Sequence, residues 1–416
     1  MRKSLLLGMT LALMSNSAFA TKARLLALGM DETDNEGSYY IDDNRNIFLN
    51  AGNIVNHSNL AIFEWGSAGQ NSNATRTPPS AGTSDNTTDQ DSSPQAEGGF
   101  LKTSDNYTYG IFLGAESNTS ALLKVVASSE NSPTKLLNSS DNQIDLFFGT
   151  RVNDIAVGAD LVYIKGKDET INEKSSGLAL KVGAVASTWQ SFVNLSLKSN
   201  SKEDYSVGST HEFDGNFGIH TGGSYNIGNG RVYGYVKHFS WDQKDSAPTT
   251  VGRKETAEGS FTSYSLGYGH TSEISSNARV FSSIEYRVKT IEADFGVAST
   301  GATGAKTEAE NRWIPITVGY ETVATNWLTL RGSVVSNVIG TKDNKNYKNL
   351  NATAQGFATQ EFGAQGKSTL ANSTNVKTGA TLNFGKLKVD GVIGTTTSGT
   401  LSLDNVMSRV GVSYWF

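Results

Sequence analysis

Apolar and polar residues alternate one for one through most of the chain from about residue 142 to its end. A period of two marks a strand whose two faces meet different surroundings. Within 154–164, Ile155, Val157, Ala159, Leu161 and Tyr163 make one face. Within 188–198, Trp189, Val193, Leu195 and Leu197 alternate with Gln190, Asn194, Ser196 and Lys198. Within 279–289, Val280, Ile284, Tyr286 and Val288 alternate with Arg279, Ser283, Glu285, Arg287 and Lys289. Within 328–334, Leu328, Leu330 and Val334 alternate with Thr329, Arg331 and Ser333. One such segment fits a half-buried strand of a soluble sandwich. Repeated full charges on the polar face, in segments this long, argue for a different solvent on each side.

The segments come in pairs. Short turns are expected at Val152-Asn153, Ala186 to Thr188, Gly228-Asn229, Glu273 to Ser275, Thr325-Asn326 and Gly385. Long polar connections are expected near 166–174, 199–213, 242–258, 291–308, 339–374 and 396–405. Short turns at one end and long loops at the other are the asymmetry of an outer-membrane barrel, whereas Greek-key sandwiches do not sort their loops this way. Upstream, 59–65, 96–103 and 107–114 supply weaker strands, with long loops at 66–95 and 115–141. The fold expected is an all-β, antiparallel transmembrane barrel of 16 strands, with 14 as the alternative; bacterial single-chain barrels carry an even number. Pro78, Pro79, Pro94, Pro133 and Pro248 fall in the expected loops, and only Pro315 falls in a strand, as a residue that breaks the ladder should.

The first twenty residues read as a cleaved signal peptide. Arg2 and Lys3 are its positive end, Leu5 to Met14 its apolar run, and Ala18-Phe19-Ala20 its cleavage site. The chain is therefore expected to be exported and placed in the outer membrane. Its domains read as a signal peptide over 1–20, an N-terminal periplasmic or plug-like segment over 21–58 and the barrel over 59–416. In the middle segment the run Asp42 to Asn46 is a capping sequence for a short helix beginning near Asn44. The chain has no cysteine, which excludes disulfides and thiol chemistry. A pI near 5.7 without a basic tract argues against nucleic acid as a partner.

The chain ends Arg409-Val410-Gly411-Val412-Ser413-Tyr414-Trp415-Phe416. Val410, Val412, Tyr414 and Phe416 share one face and finish on a terminal aromatic ring. This resembles the assembly signal of Gram-negative outer-membrane proteins, and the resemblance implies recognition by the barrel-assembly machinery. With the leader and the strand rhythm, residues 59–416 resemble the porin-like barrel family. The N-terminal region is similar to that of major outer-membrane proteins of predatory Gram-negative bacteria. Residues 42–52, ending Asn50-Ala51-Gly52, also resemble the Asn-Pro-Ala-Gly region of fatty-acid-transporter-type barrels, without its proline.

No constellation of reacting groups stands out. The five histidines lack the spacing of a metal site. The acidic runs 31–36 and 85–91 do not fit an EF-hand loop. Pairs such as His238 with Asp242, or His211 with Asp214, lack an orienting third group. No catalytic residue, metal or cofactor is expected, and the chain is expected not to be an enzyme.

If the apolar faces meet lipid, the polar faces line the interior. The expected channel-lining set is Arg151, Lys181, Arg279, Arg287 and Arg331, with Asp145, Asp160 and Glu285. The Ala121 to Val126 run makes 115–141 the loop expected to fold inward. A 16-stranded barrel is wide enough for an aqueous channel. The function expected is passive diffusion of small hydrophilic solutes and ions. The alternatives are a fatty-acid-transporter-like or other substrate-specific barrel with an occluded lumen, and a surface adhesin or structural protein. The partners expected are outer-membrane lipid and lipopolysaccharide, the assembly machinery, the solutes themselves and, as one oligomeric state, a homotrimer.

Overall fold

The structure is a computed structural model. It describes residues 21–30, 36–57, 59–66, 96–115, 143–168, 172–206, 209–246, 254–295, 305–345, 365–369, 374–396 and 409–416. The expected signal peptide, most of the loops 66–95 and 115–141, and part of 339–374 lie outside these residues.

Period-two segments of the sequence become strands of one antiparallel sheet. They are β1 (Leu60–Trp65), β2 (Ala96–Ser104), β3 (Tyr107–Leu113), β4 (Gln143–Val152), β5 (Ile155–Asp168), β6 (Glu173–Val185), β7 (Trp189–Ser206), β8 (Ser209–Gly215) and β9 (Gly218–Ile227). They continue as β10 (Gly230–Ser246), β11 (Lys254–Ser275), β12 (Ala278–Phe295), β13 (Ala305–Thr325), β14 (Leu328–Lys345), β15 (Gly366–Thr369), β16 (Thr374–Phe384), β17 (Leu387–Thr396) and β18 (Arg409–Trp415). β8 and β9 both pair with β7 and β10 and form one stave. β15 and β16 both pair with β14 and form another. β1 pairs with β2 on one side and with β18 on the other, Leu60 facing Trp415. The sheet therefore closes into a 16-stranded barrel, which leaves no open edge.

Tight turns need a residue that tolerates the left-handed region. Asp105, Asn153, Gly228 and Gly385 supply it, with φ of 52°, 53°, 59° and 66°. The turn between β4 and β5 falls at Asn153-Asp154, one residue beyond the sequence expectation. The strands run on into the expected long loops 166–174, 199–213, 242–258 and 291–308, which are shorter than the sequence suggests. β11 has 22 residues and β13 has 21, where about 9–11 suffice to cross a bilayer. Hydropathy alternation fades once a strand leaves lipid, so the pattern ends before the ladder does.

Large apolar side chains on the outer face stand exposed, among them Leu146, Phe148, Leu161, Tyr163, Ile284, Tyr286, Val318 and Leu330. The opposite face is buried and polar, with Asp145, Asp160, Lys181, Glu285, Glu321 and Arg331. That inversion is the mark of a lipid-embedded barrel. Several ladders carry register shifts, and two of them bear on the sequence pattern. A bulge at the β6–β7 ladder skips Leu197, so Lys198 pairs with Leu178 while Ser196 pairs with Ala179. Past that bulge Ser199 and Ser201 are the buried residues and Lys198 is exposed, against the inward placement that strict alternation predicts. A bulge flips the face because it adds one residue to one strand. Pro315 sits at a second register shift, between Ile314 and Pro315, which is where a strand interior accepts proline.

Residues 21–30 and 36–57 lie inside the barrel. They form α1 (Lys22–Ala27) and two 3-10 turns at Asn44–Ile47 and Ala51–Asn56. The first 3-10 turn is capped by the Asp43 carboxylate, which accepts from the Arg45 N–H at 2.8 Å. Leu25, Leu26, Leu28, Ile47, Phe48 and Ile54 are buried. Phe48 meets Phe112 and Phe147 edge to face, and Leu25, Leu28 and Ile41 pack on Phe281.

Candidate functional site

The segment is seated on glycine. Gly149 of β4 pairs with Gly158 of β5, and Gly158 pairs with Gly183 of β6. This row of three carries no side chain into the lumen, and the second 3-10 turn lies against it. A Cβ on Gly158 would stand 2.2 Å from the Ala51 carbonyl oxygen, and one on Gly183 would stand 1.8 Å from Asn50 Oδ1. Real Cβ contacts are never so short, so the fit depends on these glycines. Gly411 and Gly379 do the same for Thr21 and Ala27.

Three ionic anchors hold the segment to the wall. In the first, Lys22 Nζ lies 2.8 Å from Glu97 of β2 and Arg45 NH1 lies 2.5 Å from the same carboxylate. The Lys22 backbone N–H also donates to Glu64 of β1 at 3.0 Å. In the second, Arg24 bridges Asp43 at 2.7 Å and Glu321 of β13 at 2.9 Å. Glu321 also pairs with Arg331 of β14, which reaches Asp390 of β17 at 3.1 Å. In the third, Glu36 lies 3.7 Å from Lys181 of β6 and 3.4 Å from His220 of β9. His220 Nε2 in turn meets the Tyr39 hydroxyl at 2.9 Å.

Burial of this many charges is tolerated only because they are paired, and the titration of the segment shows the balance. For Glu36 burial favours the neutral acid, but Lys181 and His220 override it and hold the carboxyl well below its ordinary range. Arg24 is raised, since Glu321 and Asp43 outweigh its burial. Asp43 is pushed up to about 6 by burial, with Arg24 opposing. His57 is pushed down to about 4 by burial, with Asp42 opposing.

The expected lining residues fall into three groups. Lys181, Arg331, Asp145 and Asp160 are buried, facing the segment or its anchors. Lys181 also donates to the Phe48 carbonyl at 3.1 Å. Glu285 and Arg287 pair with each other at 2.8 Å, and Glu285 accepts from Tyr233. Arg151 and Arg279 lie at the short-turn end. Arg151 is exposed and donates to Asn56 at 2.9 Å, and Arg279 lies 3.3 Å from Glu273. Val410, Val412 and Tyr414 share the outer face of β18 and Phe416 stands exposed just past its end, while Arg409, Gly411 and Ser413 are buried inward.

Sequence reasoning missed Lys22, Arg24, Glu36, Asp43, Arg45, Glu64, Glu97, Glu321 and Asp390 as one site. A signal was present. Leu25, Leu26, Leu28, Ile47 and Phe48 are too apolar for a solvated tail, and charges interleaved with such residues need partners.

This fold and this polar interior define a class: a transmembrane β-barrel of the outer-membrane type. No family model matches the chain, and no curated protein matches it. Among solved structures it is similar to the CymD monoaromatic hydrocarbon channel, at 10% identity, covering 96% of this chain and 98% of that one, with a TM-score of 0.36. It is also similar to the P. putida toluene transporter TodX, at 13% identity, covering 92% and 97%, with a TM-score of 0.35. A third is the outer-membrane protein OmpT of Vibrio cholerae, at 9% identity, covering 86% and 95%, with a TM-score of 0.31. These likenesses extend to the outer-membrane barrel and no further toward a porin-like family or the proteins of predatory bacteria.

One expectation is corrected. The chain was expected not to be an enzyme, and that exclusion is withdrawn. Its ground was that no set of reacting groups could be named. Glu36, His220 and Tyr39 now stand together in the lumen, joined across 181 positions that hid them in the sequence.

Proposed function

We propose that the chain is an exported outer-membrane channel of the porin-like kind for small hydrophilic solutes and ions, and that residues 21–57 are its plug. The observation that carries this is the closed 16-stranded barrel with ion-paired chain across the short-turn half of its lumen. A barrel of this size without filling holds water, so docking and undocking of the segment sets whether solutes pass. Charged side chains beside the passage, Arg287 and Glu285 among them, bias which ions pass. Export through cleavage after Ala20, delivery by the assembly machinery reading Val410, Val412, Tyr414 and Phe416, residence among lipid and lipopolysaccharide, and trimer formation belong to the same reading.

Single-channel recording of the refolded protein in a planar bilayer tests it, with the reversal potential taken under a salt gradient. Brief openings from a closed baseline, turned into steady openings when the anchors are cut, support a plugged diffusion channel. A folded barrel that stays silent after the anchors are cut sinks it.

One observation favours a second reading, a substrate-specific barrel. Phe213, Phe239, Trp241 and Phe261 form a buried cluster on β8, β10 and β11, and Lys289 lies 5.3 Å over the Phe261 ring. Inward aromatic rings are unusual in a lumen lined for water. Saturable block of ion current by benzoate, with no block by acetate, would favour this reading over general diffusion.

A further inference from the structure

A cavity of about 360 Å³ opens between the segment and the short-turn rim. We propose that it is a binding site for a small uncharged polyhydroxylated solute, a sugar of mono- or disaccharide size, whose occupancy holds the segment docked. Its volume falls in the range of small-molecule sites, roughly 300–1,000 Å³. One wall comes from the segment, with Asn53, Asn56 and His57. The other comes from the barrel, with Gln190, Asn226 and Arg231.

Chemistry of the lining selects the class. Arg231 NH1 already lies 3.1 Å from Asp42, and Asp43 lies 2.7 Å from Arg24. Charges at the cavity are thus matched within the protein, and a ligand need bring none. The amides are different. Asn53 donates through Nδ2 to the Asn46 carbonyl, Asn56 accepts through Oδ1 from Arg151, and Gln190 donates through Nε2 to Ser224. The ends not used in those bonds are two acceptors, Asn53 Oδ1 and Gln190 Oε1, and one donor, Asn56 Nδ2. A hydroxyl both donates and accepts, so a ring of hydroxyls satisfies such a mixed set, where a simple anion or cation satisfies half of it.

Regulation follows from where the walls come from. A solute that touches both the segment and the barrel binds the docked state and loses half its site when the segment leaves. Binding to one state stabilises that state by RT ln(1 + [L]/Kd). The solute is therefore a closing effector that acts from the short-turn side. This goes beyond the channel reading and does not need the barrel to conduct.

Hydrogen exchange of the full refolded protein in detergent tests it, read on peptides within 36–57 with glucose and with sucrose. Exchange is expected to slow saturably, about elevenfold at ten times Kd. Trimethylamine N-oxide, which stabilises compact states by exclusion from the surface, should give no saturation. Gln190→Leu alters only the barrel wall, so its sugar-free exchange reports whether the segment is still docked. With docking retained, the saturable part should vanish. Asn53→Leu tests the opposite wall in the same way. The proposal is overturned if neither sugar gives saturable slowing, if both docked variants respond as the parent does, or if serine saturates while the sugars do not. Conductance enters none of these readings, so failure here is separate from failure of the channel reading.

Discussion

Arg24 Nε lies 2.9 Å from Glu321 Oε2, joining the first described turn of the chain to a strand 297 positions later. The same guanidinium reaches Asp43 at 2.7 Å, so one side chain bridges the segment and the wall. Arg24→Ala leaves two buried carboxylates facing the gap. Breaking a buried pair by removing one partner costs about 3–5 kcal/mol, which is roughly two to four orders of magnitude in the docking equilibrium. Open-channel occupancy should rise accordingly. Arg24→Lys keeps the charge but loses the two-pronged geometry and should fall between. If Arg24→Ala stays closed, the segment is not held by this anchor.

The glycine row makes a steric prediction. Gly158→Val places side-chain atoms where the Ala51 carbonyl now lies. Overpacking costs about 1–3 kcal/mol where neighbours can shift, and here the neighbour is backbone. Segment 36–57 should lose protection in hydrogen exchange, while barrel strands away from the row keep theirs. Equal protection in variant and parent would show that the turn does not rest on this row.

Two groups in the segment titrate in opposite senses. His57 is held down at about 4 from an ordinary 6.5, so its contribution is present above pH 6.5 and is lost as pH falls toward 4. Asp43 is held up at about 6 from 3.8, so its contribution is full below pH 3.8 and is lost as pH rises through 6. Each shift corresponds to about 3 kcal/mol, and the two largely offset between pH 4 and 6. Asp43→Asn should expose the histidine slope, with docking strengthening as pH rises from 4 to 6.5. His57→Gln should expose the reverse slope. The measurement is segment exchange against pH in the two variants; slopes of the same sign would refute the assignment.

Arg287 carries a selectivity prediction. Its guanidinium is half-buried beside Glu285 and lies 5.7 Å from the Trp313 ring centroid. Arg287→Glu adds a second carboxylate there. In an Arg24→Ala background the reversal potential under a salt gradient should move toward cation preference, and Arg279→Glu should add to it. An unmoved potential would remove both residues from the ion path.

The terminal strand makes a prediction about assembly. Phe416 stands exposed just past the end of β18, and its N–H donates to the Asn59 carbonyl at 3.1 Å. Phe416→Ser keeps that backbone bond and loses the ring. Outer-membrane levels in cells should fall, while refolding into detergent proceeds as before. A fall in both would make the ring a stability element instead of a signal.

Alternation was enough to place the barrel, because each strand meets lipid on one side and polar groups on the other. It did not place Lys198, since a bulge is one extra residue with no hydropathy signature. Nor did it give the length of β11 and β13, whose outer ends leave lipid and lose the pattern. The interior was less legible. Lys181 and Asp160 could be assigned to the lumen face, but nothing local says that Lys181 faces Glu36. Glu64 and Glu97 lie on the two weakest strands, and their partners Lys22 and Arg45 lie in a segment without period. Contacts between distant stretches leave no periodic trace, although buried leucines beside charges hinted that the segment was not free.

Gly149, Gly158 and Gly183 have a consequence for the emptied barrel. With the segment gone, three neighbouring staves would present bare peptide to the passage, next to walls studded with arginine, lysine and carboxylates. A permeating solute would meet amide dipoles on one side and fixed charge on the others. The open pore would be lopsided in polarity, and the path of least resistance for an uncharged solute would run along the vacated seat.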